Sequence, residues 1–341
     1  MPWVTQYFTP AALAAGAIAI SLNIYAVTAG ADFGGGAWDL LAFGSRRDRQ
    51  RALIADAIAP IWEANHVWLI LVVVLLFTAF PPAFSRLMTV LHIPLTLMLF
   101  GIVLRGSAFT FRSYDSRRDA VQRRWSRIFA IASTVTPFLL GTILGAIATG
   151  SVSDKSLSAE SSFVRSYVAP WLAPFPLGVG ALALVLFAFL AAVYLTLESS
   201  DDELREDFRR RALWSAAAAT VVAVLDLVLA REGAPLVWTA LTRGTPAMVL
   251  RIAATIAAVG AVLALWRCAY RIARAAAVAE VSLIVWGWAI GQFPYLVPPD
   301  LTVQSAAAPD ATLRLLLGAL VVGLALLIPS LQYLFKVFKA G

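Results

Sequence analysis

Apolar residues come in runs long enough to cross a bilayer, separated by short polar or proline-rich stretches. A spanning helix needs about 20 mostly apolar residues. Runs of that kind fall roughly at 8–29, 55–79, 84–104, 127–149, 174–197, 212–230, 248–268, 276–297 and 313–335. The separators include Arg46–Arg51, Ser113–Arg127, Ser151–Glu160, Asp201–Arg211 and Pro298–Asp310, none long enough for a soluble domain. The pattern therefore predicts an all-α integral membrane fold. It would have about nine transmembrane helices in antiparallel bundles, as one polytopic domain over residues 1–341. Two separators, 112–127 and 201–211, read as helices at an interface. The second has its acids first and its arginines last, which suits the helix dipole.

Orientation follows from the basic residues of alternate loops. One side receives 20 of the 27, including Arg46–Arg51, Arg105–Arg127, Arg205–Arg211, Arg267–Arg274 and the C-terminal Lys336 and Lys339. The other receives 7: Arg86, Lys155, Arg165, Arg231, Arg243, Arg251 and Arg314. Cytoplasmic loops carry the excess, so the N-terminus is expected outside and the C-terminus inside.

Composition agrees: 60% of residues are hydrophobic, 14% are charged and the mean hydropathy is +0.81, far outside the soluble range. The net charge of +7 is then explained by cytoplasmic loops rather than by a nucleic-acid partner. Arginine-heavy, alanine-rich usage suits a bacterial protein of the cytoplasmic (inner) membrane. Cys268 is the sole cysteine, which excludes an intrachain disulfide and a thiolate cluster. No basic residue precedes Arg46, so the start lacks the positive region of a signal peptide and the first helix is expected to be retained.

The second run is the one that carries chemistry. In Asp56-Ala57-Ile58-Ala59-Pro60-Ile61-Trp62-Glu63-Ala64-Asn65-His66-Val67-Trp68, a continuous helix would put Asp56, Glu63 and His66 on one face. Counted from Ile54, Glu63 would lie roughly 14 Å along the axis, well inside the cytoplasmic half of the bilayer. An ionisable residue at that depth is costly to insert and points to function. Pro60 would leave the Asp56 carbonyl free for water. The stripe reads as the cytoplasmic entry of a proton path, against the plainer reading of Glu63 as packing glue.

Other candidates are weaker. His66 and His92, the only histidines, sit on different predicted helices, His92 just before the kinking residue Pro94, and each reads better as a hydrogen-bonded side chain than as a haem ligand. No HExxH or CxxC motif is present, so no metal site is expected from this chain alone. Gly34-Gly35-Gly36 follows Asp32 where the first helix should end and reads as a turn, with Asp32 at the membrane mouth as a cap or a proton acceptor. Arg105 reads as a snorkelling cytoplasmic anchor. Asp226, Glu280, Gln292, Trp286 and Trp288 lie in or near apolar helices without a specific signal.

Several segments resemble subunit II of the cytochrome bd quinol oxidases. They are Ala26-Val27-Thr28-Ala29-Gly30-Ala31-Asp32-Phe33-Gly34, the stretch Ala59–Ile70, Leu76–Pro81 and Arg105–Arg112, then Tyr194–Glu198 with Arg209-Arg210-Arg211, and Gln292–Pro298. The resemblance implies a haem-free chain paired with a large subunit that carries haem b and haem d, in a complex that oxidises quinol and reduces dioxygen to water. It implies that the acid after the motif tryptophan, here Glu63, belongs to a cytoplasmic proton pathway, and that Asp32 matches a second acidic position. Ala29 stands where an aspartate is common, and His66 where Gln or Glu is frequent. Trp62, Asn65, Trp68 and Arg105 become partner- or quinone-proximal positions. A structural quinone in this chain and a small accessory subunit are left open. The rival readings are a proton-coupled secondary transporter and a purely structural membrane subunit.

Overall fold

The computed structural model describes residues 9–58, 62–114, 119–157 and 162–339. In chain order its helices are α1 (Pro10–Leu40), α2 (Arg47–Ile58), α3 (Trp62–Ala79), α4 (Pro81–Val90), α5 (His92–Tyr114) and α6 (Asp119–Ala148). The short α7 (Phe163–Tyr167) and α8 (Ala169–Leu172) lead into α9 (Pro174–Glu198), α10 (Asp202–Gly233), α11 (Pro235–Thr242), α12 (Thr245–Trp266) and α13 (Tyr270–Gln292). A two-stranded antiparallel hairpin, β1 (Tyr295–Val297) with β2 (Leu301–Thr302), precedes α14 (Asp310–Lys339). Among the described residues eight helices are long and apolar enough to cross a membrane, or nine if the bent pair α3–α4 is one span. The all-helical membrane architecture expected from the hydrophobic runs is the one observed.

The centre is α9, which packs against α1, α6 and α10. Its Phe187, Phe189, Leu190, Ala192 and Val193 are buried with Tyr25 and Phe33 of α1, Leu140 of α6, Ala212, Ala216 and Ala219 of α10, and Ala273 and Ala277 of α13. The small residues on α10 and α13 let backbones come close, and close packing is what holds helices together where lipid is as apolar as the side chains.

Local chemistry sets several boundaries away from where the hydrophobic runs put them. The first helix does not stop at 29. It continues through Gly34-Gly35-Gly36 to Leu40, and these glycines are sites of close approach rather than a turn. A Cβ on Gly34 would collide with the Phe187 carbonyl and the Ala191 side chain of α9, and one on Gly36 with Ser133 of α6. The expected helix 55–79 is described in two stretches, since residues 59–61 lie outside the described residues. α2 is a polar helix that buries Gln50, Ile54 and Ile58 and leaves Asp56 exposed, and α3 begins at Trp62. Asp56 is exposed and His66 half-buried, and the face expected to join Asp56, Glu63 and His66 runs through residues outside the described ones. Pro60 lies outside the described residues.

At the far end of α3, Phe80-Pro81-Pro82 turns the chain by 118° into α4. Residues before proline avoid the helical region, and Pro81 starts the new helix where its missing N–H is not needed. Pro94 sits in the first turn of α5, where for the same reason it has no ladder bond to break and is not a kink. The segments 112–127 and 201–211 are not separate interfacial helices. They extend α5, α6 and α10 beyond the apolar runs, and Asp201 caps α10 by accepting from Glu203 N at 2.9 Å. The helix expected to reach 297 ends at Gln292, and the β1–β2 hairpin follows. Its turn residue Asp300 accepts from Arg86 at 3.3 Å, and Arg86 also pairs with Asp154.

Gly34 supplies the first testable prediction. Gly34→Ala should lower the stability of the detergent-solubilised protein by about 1–3 kcal/mol, the usual cost of overpacking. Gly260→Ala, where an added Cβ meets nothing within 4 Å, should be neutral or slightly stabilising. Thermal unfolding of the two variants side by side checks it.

Candidate functional site

A guanidinium sits inside the bundle. Arg105 of α5 is 1% exposed, so it is not the snorkelling anchor expected from its position after an apolar run. Its carbon lies 4.8 Å from the centre of the Phe33 ring and 5.4 Å from that of Phe129. Nε and Nη2 are buried without a hydrogen-bond partner among the described residues. The opposite charge it feels is that of Asp32 on α1.

Asp32 is also buried, 5% exposed, and accepts a short hydrogen bond from Asn65 Nδ2 of α3. The neighbouring His66 ring is 6.0 Å from both the Tyr25 and the Phe33 rings and lies within the field of Arg105. Three helices thus bring an acid, an amide, an imidazole, a phenol and a guanidinium to one place. A lone charge there would be expensive, and opposite charges with polar neighbours are the arrangement a bilayer interior tolerates.

The helical period extends this cluster along α1. Tyr25, Asp32 and Asp39 are seven residues apart and all buried, so they form one stripe with steps of about 10 Å. Asp39 ends the stripe beneath α2. Arg51 of α2 donates to the Asp39 carbonyl at 3.3 and 3.2 Å, and its Nε is 3.7 Å from the Asp39 carboxylate.

A second network clamps α2 onto α10. Arg46 donates to Asp207 through Nε at 2.8 Å and Nη2 at 2.6 Å, and Gln50 donates to the same carboxylate at 2.8 Å. Arg211 in turn donates to Gln50 Oε1 at 2.8 Å and lies 5.1 Å from the Trp38 and Phe208 ring centres.

The structure thus joins Asp32, Asn65, His66 and Arg105, and leaves Asp56 exposed on α2, apart from them. Trp68 is half-buried against the main core. Glu63 is in α3, but its side chain and that of Trp62 lie outside the described residues. Tyr25 and Asp39 were not singled out from sequence. Their spacing of seven about Asp32 is the signal, and it forms a stripe because α1 continues past 29 to Leu40. His92 is exposed at the start of α5, with Nδ1 2.9 Å from the Thr89 carbonyl. Among the described residues no three His, Cys, Asp or Glu side chains are grouped to hold a metal ion. Asp226 is buried against Gly178, and Glu280 is half-buried on α13.

A cavity of about 500 Å³ lies between α1, α3, α5, α6 and α13. Its walls are aliphatic, with Leu22, Leu69, Met98 and Leu140 among them, and the hairpin residues Tyr295 and Leu296 line it too. Trp288 and Gln292 also line it, and Trp288 Nε1 and Gln292 Oε1 are buried without a hydrogen-bond partner among the described residues.

Comparison with known proteins places these features in a family. The profile of the family described as "Cytochrome bd terminal oxidase subunit II" matches residues 11–338. The Bacillus subtilis (strain 168) protein named "Putative cytochrome bd menaquinol oxidase subunit II" is 25% identical over 92% of this chain and 91% of its own length. The cytochrome bd-I ubiquinol oxidase subunit 2 of Escherichia coli (strain K12) is 26% identical, over 53% of this chain and 47% of its own length. In three dimensions the chain is similar to one in the structure of bd oxidase from Geobacillus thermodenitrificans. The TM-score is 0.80 at 21% identity, covering 96% of this chain and 98% of the other, so that likeness speaks to the fold.

The opposite charges of Asp32 and Arg105, which feel one another without direct contact, make the second prediction. Arg105→Gln alone should leave a buried carboxylate uncompensated and cost about 3 kcal/mol or more of stability. Combining it with Asp32→Asn should restore part of that loss. A double-mutant cycle on thermal or denaturant unfolding reads the coupling, and strict additivity would refute the pairing.

Proposed function

The chain belongs to the cytochrome bd terminal oxidase subunit II family, and on that premise we propose that it is the haem-free subunit supplying part of a cytoplasmic proton path. It is a component of a quinol:oxygen oxidoreductase and a multi-pass membrane protein of a bacterial respiratory oxidase family. The finer reading is that a large partner subunit binds haem b and haem d and carries the dioxygen chemistry, while this chain stabilises it. The donor set favours that division. His66 is packed between Tyr25 and Phe33, and His92 is at the exposed start of α5, so the two histidines make a poor axial pair.

The observation that carries the proton-path reading is the buried stripe Tyr25–Asp32–Asp39 with Asn65 and Arg105 beside it. Forming water from dioxygen consumes protons, and taking them from the cytoplasmic side while quinol releases its own outside would generate a membrane potential. A proton crossing the inner half of this chain needs groups that hold it, with a short file of waters to span each step of about 10 Å along α1. Glu63 is the proposed entry, Asp39 and Asp32 the acceptors along α1, and Asn65 the donor that orients the Asp32 carboxyl group. Arg105 acts as a fixed countercharge, since a guanidinium does not give up its proton.

The same family reading bears on the apolar cavity. We propose that it holds a structural quinone. Trp288 Nε1 would donate to a ring oxygen, Gln292 Oε1 would accept from a quinol hydroxyl, and the aliphatic walls would take the isoprenoid tail. Held there, the quinone supplies packing to the bundle rather than turnover.

Two measurements test these readings on the intact oxidase. Glu63→Ala and Asp32→Asn should each slow oxygen consumption by about tenfold or more, the usual scale for losing a proton-transfer group. The haem spectrum of the assembled complex should stay unchanged, and unchanged turnover in both would sink the path. For the cavity, organic extraction of wild-type complex should yield one quinone held through purification. Trp288→Phe combined with Gln292→Leu should lose most of it, and retention at the wild-type level would place the quinone elsewhere.

A further inference from the structure

The arginines at the cytoplasmic ends of the helices divide into two kinds. Around α10 they meet carboxylates: Arg205 meets Asp202 at 2.5 Å, Arg209 and Arg210 share Glu206 at 2.6 and 2.8 Å, and Arg46 meets Asp207. On α6, Arg123, Arg124 and Arg127 are exposed and form no ion pair or hydrogen bond among the described residues. Like charges at i and i+4 repel, so Arg123 and Arg127 favour an anion beside them.

The helical ridge that carries them says what that is. Arg123, Arg127, Ile131 and Val135 follow one another at intervals of four, and all four are exposed. The ridge therefore passes from cation to aliphatic within about 18 Å, roughly the span from a phosphate to near the bilayer midplane. Beside it, Phe111 of α5 stacks on Trp125 of α6, with ring centres 4.8 Å apart and planes 25° apart, and Phe111 is half exposed. Aromatic rings of that kind settle at the level of lipid headgroups.

We propose that the cytoplasmic end of α6 is a binding site for an anionic phospholipid. Its phosphate lies against Arg123, Arg124 and Arg127, its glycerol lies by the Phe111–Trp125 stack, and one acyl chain runs along Ile131 and Val135. A soluble acidic partner or a free phosphate would use the arginines but has no use for the aliphatic half of the ridge. Three guanidinium groups on one helix end attract a net negative headgroup more strongly than a zwitterionic one, so an anionic lipid is preferred. The site rests on α5 and α6 spanning the membrane, and not on the proton path.

The test uses delipidated intact oxidase in mild detergent, titrated with phosphatidylglycerol or phosphatidylcholine carrying brominated acyl chains. The Trp125 signal is taken as the difference between wild type and Trp125→Phe. Brominated phosphatidylglycerol should quench that signal at a mole fraction about tenfold or more below that needed for phosphatidylcholine. Arg123→Gln with Arg127→Gln should abolish the preference, and Arg123→Lys with Arg127→Lys should keep most of it. Equal quenching by the two lipids, or a preference that survives the glutamine variant, overturns the site. Displacement of the lipid by millimolar inorganic phosphate would assign the arginines to a free anion and overturn it too. If the glutamine variant fails to assemble, the two-lipid comparison on wild type still decides.

Discussion

A guanidinium buried among apolar helices is the constraint around which this molecule is arranged. Arg105 cannot lose its proton and cannot reach the membrane surface from the middle of the packed bundle, so its charge must be answered where it stands. The answer comes from three other elements. Asp32 of α1 supplies the opposite charge, and the rings of Phe33 and Phe129 offer their negative faces from α1 and α6. Asn65 of α3 satisfies Asp32 in turn. Remove any of these and the remaining groups become uncompensated polar atoms in a medium that cannot hydrate them.

That arrangement places demands on α1, which must lie close to its neighbours while presenting polar side chains to some of them. The helical period divides the work. Gly30 and Gly34 lie on the face opposite Tyr25, Asp32 and Asp39, and there α1 meets the Phe187 ring and backbone of α9 with no room for a Cβ. Close contact on one side and the acids on the other are two consequences of one sequence read at 3.6 residues per turn. The polar helix α2 then closes the cytoplasmic end of the stripe, held by Arg46, Gln50 and Arg211 around Asp207.

The opposite end is closed by different means. Arg86 ties α4 to the turn at Asp154 and to Asp300 of the hairpin, and Ala308 N donates to the Ala79 carbonyl at 2.8 Å. These ties hold Tyr295 and Leu296 over the apolar cavity. One chain thus carries a charged, closely packed half toward the predicted cytoplasm and a roomy apolar half away from it.

The amino-acid sequence by itself determined the membrane class, the approximate number of spans and the family, because a bilayer imposes run lengths and the motifs Ala26–Gly34 and Ala59–Ile70 are local strings. It also marked Asp32 and Asn65, since polar residues within apolar runs stand out without any knowledge of their neighbours. The tertiary structure decided which of these meet. A hydrophobic run does not say that a Gly-Gly-Gly string continues a helix, because the reason is the backbone of α9, 150 residues further on. Nor does it say that Arg105 turns inward rather than toward the surface, because the groups that accept its charge come from α1 and α6. Asp56 shows the reverse: its spacing to Glu63 suggests a buried stripe, but α2 turns Ile54 and Ile58 toward the core and leaves Asp56 exposed. Distances along the chain set what each element can present, and only the packing of distant elements sets what it faces.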